Sequence, residues 1–282
     1  MKLVEARVEI PEQTARWLWQ HASGMAAHEV FLARDKEADA QVAAEYLALV
    51  ARRARREPLQ YVIAEAEFAG LTLYVDHRVL VPRPETEGLV ALAAAQIGAL
   101  RGADPERTLT VFDLGVGSGA ITIALIMRMR SKEGIRWMAG DLSEDALAVA
   151  RRNARRYGVE DRVDWRWGDG LDVVATGEVI DVLVANPPYI PLADAPLLQP
   201  EVREHEPGLA LFAGQDGLEA YRMIAAKAKR VLANDATVLL EVGDGQAKAV
   251  QALFLEALPD ATAEAYADFQ GILRNVVIHR QV

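Results

Sequence analysis

From Thr108 onward the sequence alternates between short apolar segments typical of strands and longer segments with helical periodicity. Strands separated by helices pair in parallel, with the helices covering both faces of the sheet. The predicted strands span 109–114, 136–139, 162–167, 180–185, 237–242, 263–267 and 273–279. No helix separates the last two, so we expect an antiparallel hairpin there. The pattern predicts an α/β fold with a doubly wound, Rossmann-like sheet that ends in an antiparallel strand.

The chain before this alternation has a different pattern. Between about residues 11 and 57, apolar residues recur at three- and four-residue spacing, which is typical of helices. We interpret residues 1–62 as a small all-α N-terminal domain that docks the substrate. We expect residues 63–87 to form a hairpin around Gly70 and an interdomain linker, and residues 88–282 to form the α/β domain.

Composition argues against several kinds of site. The 282 residues include no cysteine, which excludes disulfides and thiolate ligands, and the five histidines are scattered, so we expect no metal site. The formal net charge of −10 argues against stable binding of nucleic acid. Arginines cluster at 52–56 and at 151–156, near the ends of helical segments, and we expect both clusters to be solvated.

The sequence also bears on location. No apolar run approaches the roughly 18–20 residues that span a bilayer. The first residues, Met-Lys-Leu-Val-Glu-Ala-Arg, contain neither an apolar core nor a small-residue cleavage site. We therefore expect a cytoplasmic protein without membrane contact.

A glycine-rich turn follows the first strand of the alternating region, in Val111-Phe-Asp-Leu-Gly-Val-Gly-Ser-Gly-Ala120. Glycine lets the backbone turn sharply and approach a ligand closely, and the next helix offers N–H groups at its N-terminus. Asp141 closes the second strand, where a carboxylate accepts hydrogen bonds from an adenosine ribose. A helix N-cap is the competing interpretation, for which Ser143 also competes. Because NAD and S-adenosylmethionine both carry this ribose, a dehydrogenase and a methyltransferase remain open.

The segment Asn186-Pro-Pro-Tyr189 separates these alternatives. Asn186 ends the predicted strand 180–185, at the edge where open α/β sheets bind ligands. The prolines stiffen the turn and leave its carbonyls free to accept hydrogen bonds. An amide nitrogen is a poor nucleophile, and acceptors such as the Asn186 oxygen and the Pro187 carbonyl would hold its N–H groups, with Tyr189 as a flat neighbour. We prefer this to a mere strand terminator, and we predict Asn186, Pro187 and Tyr189 as catalytic residues of a methyltransferase acting on a planar nitrogen.

These motifs resemble those of the release factor glutamine methyltransferases (PrmC/HemK type), and the likeness covers nearly the whole chain. The most specific part is Val79-Leu-Val-Pro-Arg-Pro-Glu-Thr-Glu87, whose residue types also suit a helix start. Further segments with this likeness are 56–61, 206–218, 240–246 and 269–274. The resemblance implies methyl transfer from S-adenosylmethionine to the side-chain amide of the glutamine in the Gly-Gly-Gln motif of peptide chain release factors.

The resemblance also implies site residues. Those expected to bind the cofactor are Asp113, Gly115, Val116, Gly117, Ser118, Gly119, Asp141, Gly170 and Asn186. Those expected to bind the substrate are Asn186, Pro187, Pro188, Tyr189, Arg83 and Glu85. Two positions depart from the family pattern: Gly170 replaces a tryptophan that often contacts the adenine, and Val116 replaces a small polar residue. We therefore expect other side chains to contact the adenine.

Three other functions share part of this pattern. An adenine-amine methyltransferase would have the same two motifs, but it flips its base and usually has a basic groove or a target-recognition domain. A glutamine methyltransferase acting on a ribosomal protein would share the chemistry and differ in the partner. A non-catalytic adenosyl-binding module would have no reason to keep Asn186 and Tyr189.

Overall fold

The computed structural model describes residues 1–129 and 134–281. It contains a helical N-terminal region, a short hairpin and an α/β region built on a seven-stranded sheet. Residues 130–133 and 282, which belong to the predicted α/β domain, lie outside the described residues.

Five short helices form the N-terminal region. They are α1 (Lys2–Glu5), α2 (Pro11–Ser23), α3 (Ala27–Leu32), α4 (Ala40–Ala54) and α5 (Leu59–Ile63). Pro11 occupies the first turn of α2, where its missing N–H costs no hydrogen bond. The side chain of Asp39 caps α4 by accepting from two backbone N–H groups. Leu18, Leu49 and other buried residues give this region an apolar cluster of its own.

A hairpin and a long helix lead into the α/β region. Strands β1 (Glu65–Phe68) and β2 (Leu71–Tyr74) pair antiparallel around Gly70, as predicted from the sequence. Helix α6 (Thr86–Ala103) begins inside the predicted linker 63–87. Thr86 therefore belongs to the first turn of a helix.

The remaining strands form one sheet in the order β5-β4-β3-β6-β7-β9-β8. They span Leu109–Leu114 (β3), Ile135–Asp141 (β4), Val163–Trp167 (β5), Ile180–Ala185 (β6), Leu232–Glu241 (β7), Ala261–Ala267 (β8) and Leu273–Arg280 (β9). All pairs are parallel except those that β9 makes with β7 and β8. The predicted fold class is confirmed. Strand β7 begins earlier than predicted, because a register shift lets Leu232 pair with Ile180.

Helices cover both faces of this sheet. They are α6, α7 (Ala120–Arg128), α8 (Glu144–Arg156), α10 (Glu219–Val231) and α11 (Ala247–Ala257). Helix α9 (Pro200–His205) contacts the N-terminal region instead. One core packs α6, α7 and α8 against β3 and β4, and the other packs α10 and α11 against β6 and β7. Every residue of β6 is buried, which explains why its sequence is almost continuously apolar.

The strand order creates a crevice between β3 and β6. The two strands are neighbours, but the chain runs from β3 outward to β4 and β5 on one side, and from β6 to β7 on the other. The loops that follow β3 and β6 consequently diverge at the carboxyl edge of the sheet. Ligands of open α/β sheets bind at such a switch point, and both motifs singled out from the sequence lie there.

The arginines of 52–56 do not behave as expected. Arg53 is 6% exposed, and its Nη2 lies 2.7 Å from Oε1 of Glu201 on α9. Arg56 Nε donates to the same carboxylate. Burial opposes ionisation of Glu201, but the two arginines outweigh it and lower its pKa. The expectation of solvated side chains was wrong for Arg53 and Arg56, because their partner Glu201 is distant in sequence, 148 residues from Arg53. Arg55 is exposed as expected. The cluster at 151–156 is exposed as expected.

Candidate active site

A cavity of about 360 Å³ opens at the carboxyl ends of β3 and β6. This volume lies in the range of small-molecule sites. Ten predicted site residues line it: Gly115, Val116, Gly117, Ser118, Asp141, Gly170, Asn186, Pro187, Pro188 and Arg83. Four others are placed elsewhere: Asp113, Gly119, Glu85 and Tyr189. The structure thus brings the cofactor motif and the Asn-Pro-Pro segment to one cavity.

The turn after β3 forms one wall of this cavity. Gly115 has a φ of 77°, which strains any residue with a side chain, and no atom lies within 4 Å of the place where its Cβ would stand. The backbone N–H groups of Gly115 and Val116 both donate to the carbonyl of Gly140 on the neighbouring strand β4. The wall is therefore open toward the cavity and held from behind by the sheet.

Asp113 lies beneath this wall and is fully buried. Its Oδ2 accepts hydrogen bonds from the backbone N–H and the hydroxyl of Thr122, in the first turn of α7, while its Oδ1 has no partner. Burial raises the pKa of Asp113 to about 7, although the Thr122 hydrogen bonds oppose this. Asp113 caps a helix and supports the turn from below, so direct contact with a cofactor stays a prediction that its position does not favour.

Asp141 stands at the end of β4 with its carboxylate on the cavity. Oδ2 accepts from Gly117 N and Oδ1 from Ser143 N, both at 2.9 Å. Burial raises its pKa, and the backbone hydrogen bonds oppose that rise. Ser143 caps α8 by accepting from Ala146 N at 3.1 Å, so the N-cap role belongs to Ser143. Each Asp141 oxygen keeps a further lone pair that can accept from a ligand hydroxyl.

Apolar residues next to Asp141 complete this side of the cavity. Leu142 follows it directly, and Leu171 follows Gly170 in the lining. Gly170 has a φ of 56° and open space where a Cβ would stand. An acceptor carboxylate beside apolar side chains and an open glycine wall fits an adenosine group. Leu142 and Leu171 are the side chains that could take the place of the family's usual tryptophan, and sequence reasoning did not single them out.

Asn186 forms the opposite wall, directly after the buried strand β6. Its Nδ2 donates to Oγ1 of Thr86 at 3.1 Å, and both side chains line the cavity. Pro187 and Pro188 follow in the lining and carry no N–H. This wall consequently offers hydrogen-bond acceptors: the Asn186 side-chain oxygen and the carbonyls of the turn.

Tyr189 follows the two prolines and lies outside the cavity lining. Its ring packs against the apolar core on the α10 and α11 face and does not belong to the cavity lining. Its carbonyl accepts from Gln246 Nε2 at 2.9 Å, and burial raises the pKa of its phenol. In this conformation Tyr189 anchors the turn, and a stacking contact with substrate stays a prediction.

Two residues of this wall were missed by sequence reasoning: Thr86 and Glu241. Glu241 is the last residue of β7, so it stands at the same edge of the sheet as Asn186. Burial raises its pKa to about 7. The available signal was that one strand ends in Glu241 and another is followed by Asn186. The sequence does not give the strand order, which shows that these two strands are neighbours.

Arg83 lines the cavity and joins two loops. Its Nη2 lies 2.6 Å from Oε1 of Glu206, and Oε2 of that buried carboxyl accepts from Val81 N at 3.4 Å. Burial raises the pKa of Glu206, while Arg83 acts in the opposite direction. Glu85 is the N-cap residue of α6 and makes no side-chain cap hydrogen bond. Arg83 is therefore placed for substrate contact, and Glu85 lies beside the site.

Searches of residues 1–129 and 134–281 found no group of three or more His, Asp or Glu side chains placed to hold a metal ion. In the same part of the chain, no helix combines the length and apolar character needed to cross a membrane.

Comparisons with protein families and with known proteins identify relatives of this chain. The family model described as PrmC N-terminal domain matches residues 1–63, and the methyltransferase small domain matches residues 100–195. A release factor glutamine methyltransferase of Geobacter sulfurreducens is 39% identical over 252 residues, or 89% of this chain and 84% of that protein. One of Streptomyces coelicolor is 38% identical, covering 96% of this chain and 91% of its own length.

A solved structure supports the fold. The N-terminal domain of human METTL16, in complex with SAH, matches with a TM-score of 0.52 and 16% identity, covering 76% of each chain. At this level of identity the likeness concerns the fold alone.

Proposed function

This chain belongs to the release factor glutamine methyltransferases, and we propose that it methylates the glutamine of the Gly-Gly-Gln motif in peptide chain release factors. It is accordingly an S-adenosylmethionine-dependent protein-glutamine methyltransferase. The motif and the partner are the parts that we propose. One observation carries the proposal. Asn186, Pro187 and Pro188 line the same cavity as the glycine turn after β3 and Asp141, whose carboxylate suits a ribose.

The acceptor wall suits an amide nitrogen. The lone pair of such a nitrogen is delocalised into the carbonyl, so its reactivity depends on how its N–H groups are held. The Asn186 oxygen and the Pro187 carbonyl would accept from these two N–H groups, which orients the nitrogen and raises its electron density. Fixed dipoles and positioning of this kind are the main sources of rate enhancement when no acid or base is required.

The opposite wall would hold the cofactor. Asp141 would accept from the ribose hydroxyls, the turn around Gly115 and Gly117 would lie against the amino-acid portion, and Leu142 and Leu171 would contact the adenine. When bound, S-adenosylmethionine supplies an electrophilic methyl group on a sulfonium. The residues of the two walls determine whether that methyl group lies in line with the amide nitrogen.

The proposal is tested by incubating the purified enzyme with labelled S-adenosylmethionine and three acceptors: a release factor, ribosomal proteins and DNA. We expect label on the release factor, and mass spectrometry should locate it on the glutamine of Gly-Gly-Gln. Label on ribosomal protein or DNA in place of the release factor would contradict the proposal. A release factor whose motif glutamine is replaced by alanine is the matched control.

We further propose that residues 1–62 dock the release factor. This helical region carries exposed apolar side chains, among them Phe31 at 65% and Leu32 at 74% exposed. A F31S/L32S double variant should raise the KM for release factor and leave cofactor affinity unchanged. Val179 is 52% exposed and lies just before β6, at the sheet edge opposite the site, so V179S is the control. Equal KM values for the two variants would contradict docking through this surface.

The partner also determines where we place the enzyme. Release factors act in translation, so we propose a cytoplasmic location. The net charge of −10 supports recognition of a protein over stable binding to nucleic acid.

A further inference from the structure

Two buried polar side chains behind Asn186 have no part in the mechanism described so far. Thr86 is 5% exposed and Glu241 is 1% exposed. Oε2 of Glu241 is buried and has no hydrogen-bond partner. A buried carboxyl without full hydrogen bonding costs stability, so its presence calls for an explanation. The explanation developed here rests on the proposed function.

The asparagine has an orientation problem. Its carboxamide has nearly the same shape when its oxygen and nitrogen are exchanged by rotation. With the oxygen toward the cavity, it accepts from the target NH2 group. With the nitrogen toward the cavity, it presents a donor to another donor, and the target is repelled. The enzyme is active in one of the two orientations.

Thr86 alone does not solve this problem. In the structure it accepts from Asn186 Nδ2 at 3.1 Å, which turns the asparagine oxygen away from Thr86. A hydroxyl group, however, both donates and accepts. If the Thr86 hydroxyl donated to the asparagine oxygen, the inactive orientation would be equally well bonded. The direction of the hydroxyl proton therefore has to be determined by a third group.

Glu241 is in place to determine that direction. Thr86 and Asn186 lie close enough to Glu241 for hydrogen bonds from their side chains to lower the pKa of its carboxyl group. An ionised carboxylate accepts hydrogen bonds and donates none. We infer that Thr86 and Glu241 are positioning residues: the Thr86 hydroxyl donates a hydrogen bond to the Glu241 carboxylate and accepts one from the asparagine nitrogen, so the asparagine oxygen is held toward the target amide. We call this chain of hydrogen bonds from Asn186 through Thr86 to Glu241 the relay. Its hydrogen bonds all point in one direction, which is its polarity, and that direction selects the active orientation of Asn186.

The surroundings of Glu241 make this polarity sensitive to pH. Burial raises its pKa to about 7, Arg274 of β9 opposes the rise, and Glu85 at the start of α6 adds to it. The phenols of Tyr189 and Tyr221 are the other titratable groups that interact with it, and burial raises the pKa of each. Protonated Glu241 can donate to Thr86, and the relay then loses its polarity.

Single-turnover methyl transfer to release factor, at saturating cofactor, tests the relay. T86V keeps the shape and removes the hydroxyl, so we expect the rate to fall roughly tenfold, the equivalent of one hydrogen bond. T86S restores the hydroxyl and should recover most of the rate. Thr237 is buried in the middle of β7, and T237V serves as the control for loss of a buried hydroxyl. The cofactor Kd and the Tm are measured for each variant.

E241Q provides an independent test if T86V does not fold. The glutamine side chain can donate to Thr86 as well as accept from it, so the relay loses its fixed direction. The rate of methyl transfer by E241Q should therefore fall severalfold. The unmodified enzyme should gain rate as the pH rises through about 7, and E241Q should lack that rise. The relay is wrong if T86V transfers at the unmodified rate, if T86S is as slow as T86V, or if E241Q keeps the full rate and the pH profile. Failure of the unmodified enzyme to methylate release factor would instead refute the proposed function.

Discussion

The two walls of the cavity are built in different ways. The cofactor wall consists mainly of backbone, with Asp141 accepting from the backbone N–H groups of Gly117 and Ser143. The acceptor wall consists of side chains from three separate elements, with Asn186 on the end of β6, Thr86 on α6 and Glu241 on β7. Hydrogen bonds to the backbone hold the first wall, and packed side chains form the second.

This difference indicates how each wall responds to change. The cofactor wall is shaped by glycine backbone and supported by the sheet, so most of its geometry survives loss of a single side chain. The acceptor wall depends on each side chain, and it contains a buried carboxyl oxygen without a partner. Buried polar groups of this kind cluster at functional sites. Single substitutions in the acceptor wall should therefore lower the rate of methyl transfer, whereas those in the cofactor wall should weaken binding of the cofactor.

The largest effect is expected for N186A. The substitution removes the acceptor that orients the target amide, and losing one preorganised polar partner typically costs about a hundredfold to a thousandfold in rate. Little packing is lost, because Asn186 follows the strand at the cavity edge. Single-turnover rates at saturating cofactor and release factor measure the loss, and calorimetry should give a cofactor Kd close to that of the unmodified enzyme.

N186D sharpens this test. Aspartate keeps the shape and an acceptor oxygen, so it should retain more activity than alanine does. If N186A transfers the methyl group at the unmodified rate, Asn186 serves only to end the strand. The proposed contrast between the two walls would then be wrong.

A smaller effect, on binding, is expected for D141A. Losing hydrogen bonds to a charged group costs about 1.5–3 kcal/mol, which corresponds to roughly a 10- to 150-fold weaker Kd. At saturating cofactor, the transfer rate should recover most of its value. Calorimetry with S-adenosylmethionine measures the change, and unaltered affinity would exclude Asp141 from ribose binding.

The smallest effect is expected for D113N, and it concerns stability. Burial raises the pKa of Asp113 to about 7, above its value in the unfolded chain, so the folded state favours the protonated form. Its contribution to stability is therefore greatest at low pH and declines as the pH rises from about 4 to about 7. Asparagine does not titrate, so the variant should gain about 4–10 °C in Tm relative to the unmodified enzyme between pH 5 and pH 7.5.

Tm measurements at the two pH values give this difference directly. A relative Tm that stays constant, or moves the other way, would show that Asp113 is ionised throughout this range. A cofactor Kd measured at the same pH values separates this effect from ligand binding.

The fold was predictable because its signals are local. Alternating apolar segments predicted the parallel sheet, and the missing helix before the last strand predicted its antiparallel end. The irregular start of β7 was not predicted, because it depends on a register shift against β6. The burial of Arg53 was not predicted either, since its partner Glu201 is distant in sequence.

The site was predictable to the same degree. The glycine turn, Asp141 and Asn186 are each marked by residues nearby in the chain, and all line the cavity. Thr86 looked like part of a linker or helix start, and it lies 100 residues from Asn186. Tyr189 was expected beside the substrate, but its ring packs on the core. Spacing along a chain shows which residues end a strand, and it does not show which direction a side chain takes.

The ionic contact between the helical region and α9 has a consequence for synthesis on the ribosome. Arg53 and Glu201 are 148 residues apart, so the helices emerge first and wait for their partner for roughly 7–30 s at ordinary elongation rates. During that interval the arginines are hydrated, whereas an apolar interface would be exposed to aggregation. Because the contact is an ion pair, the N-terminal helices can remain hydrated after synthesis until Glu201 has been translated.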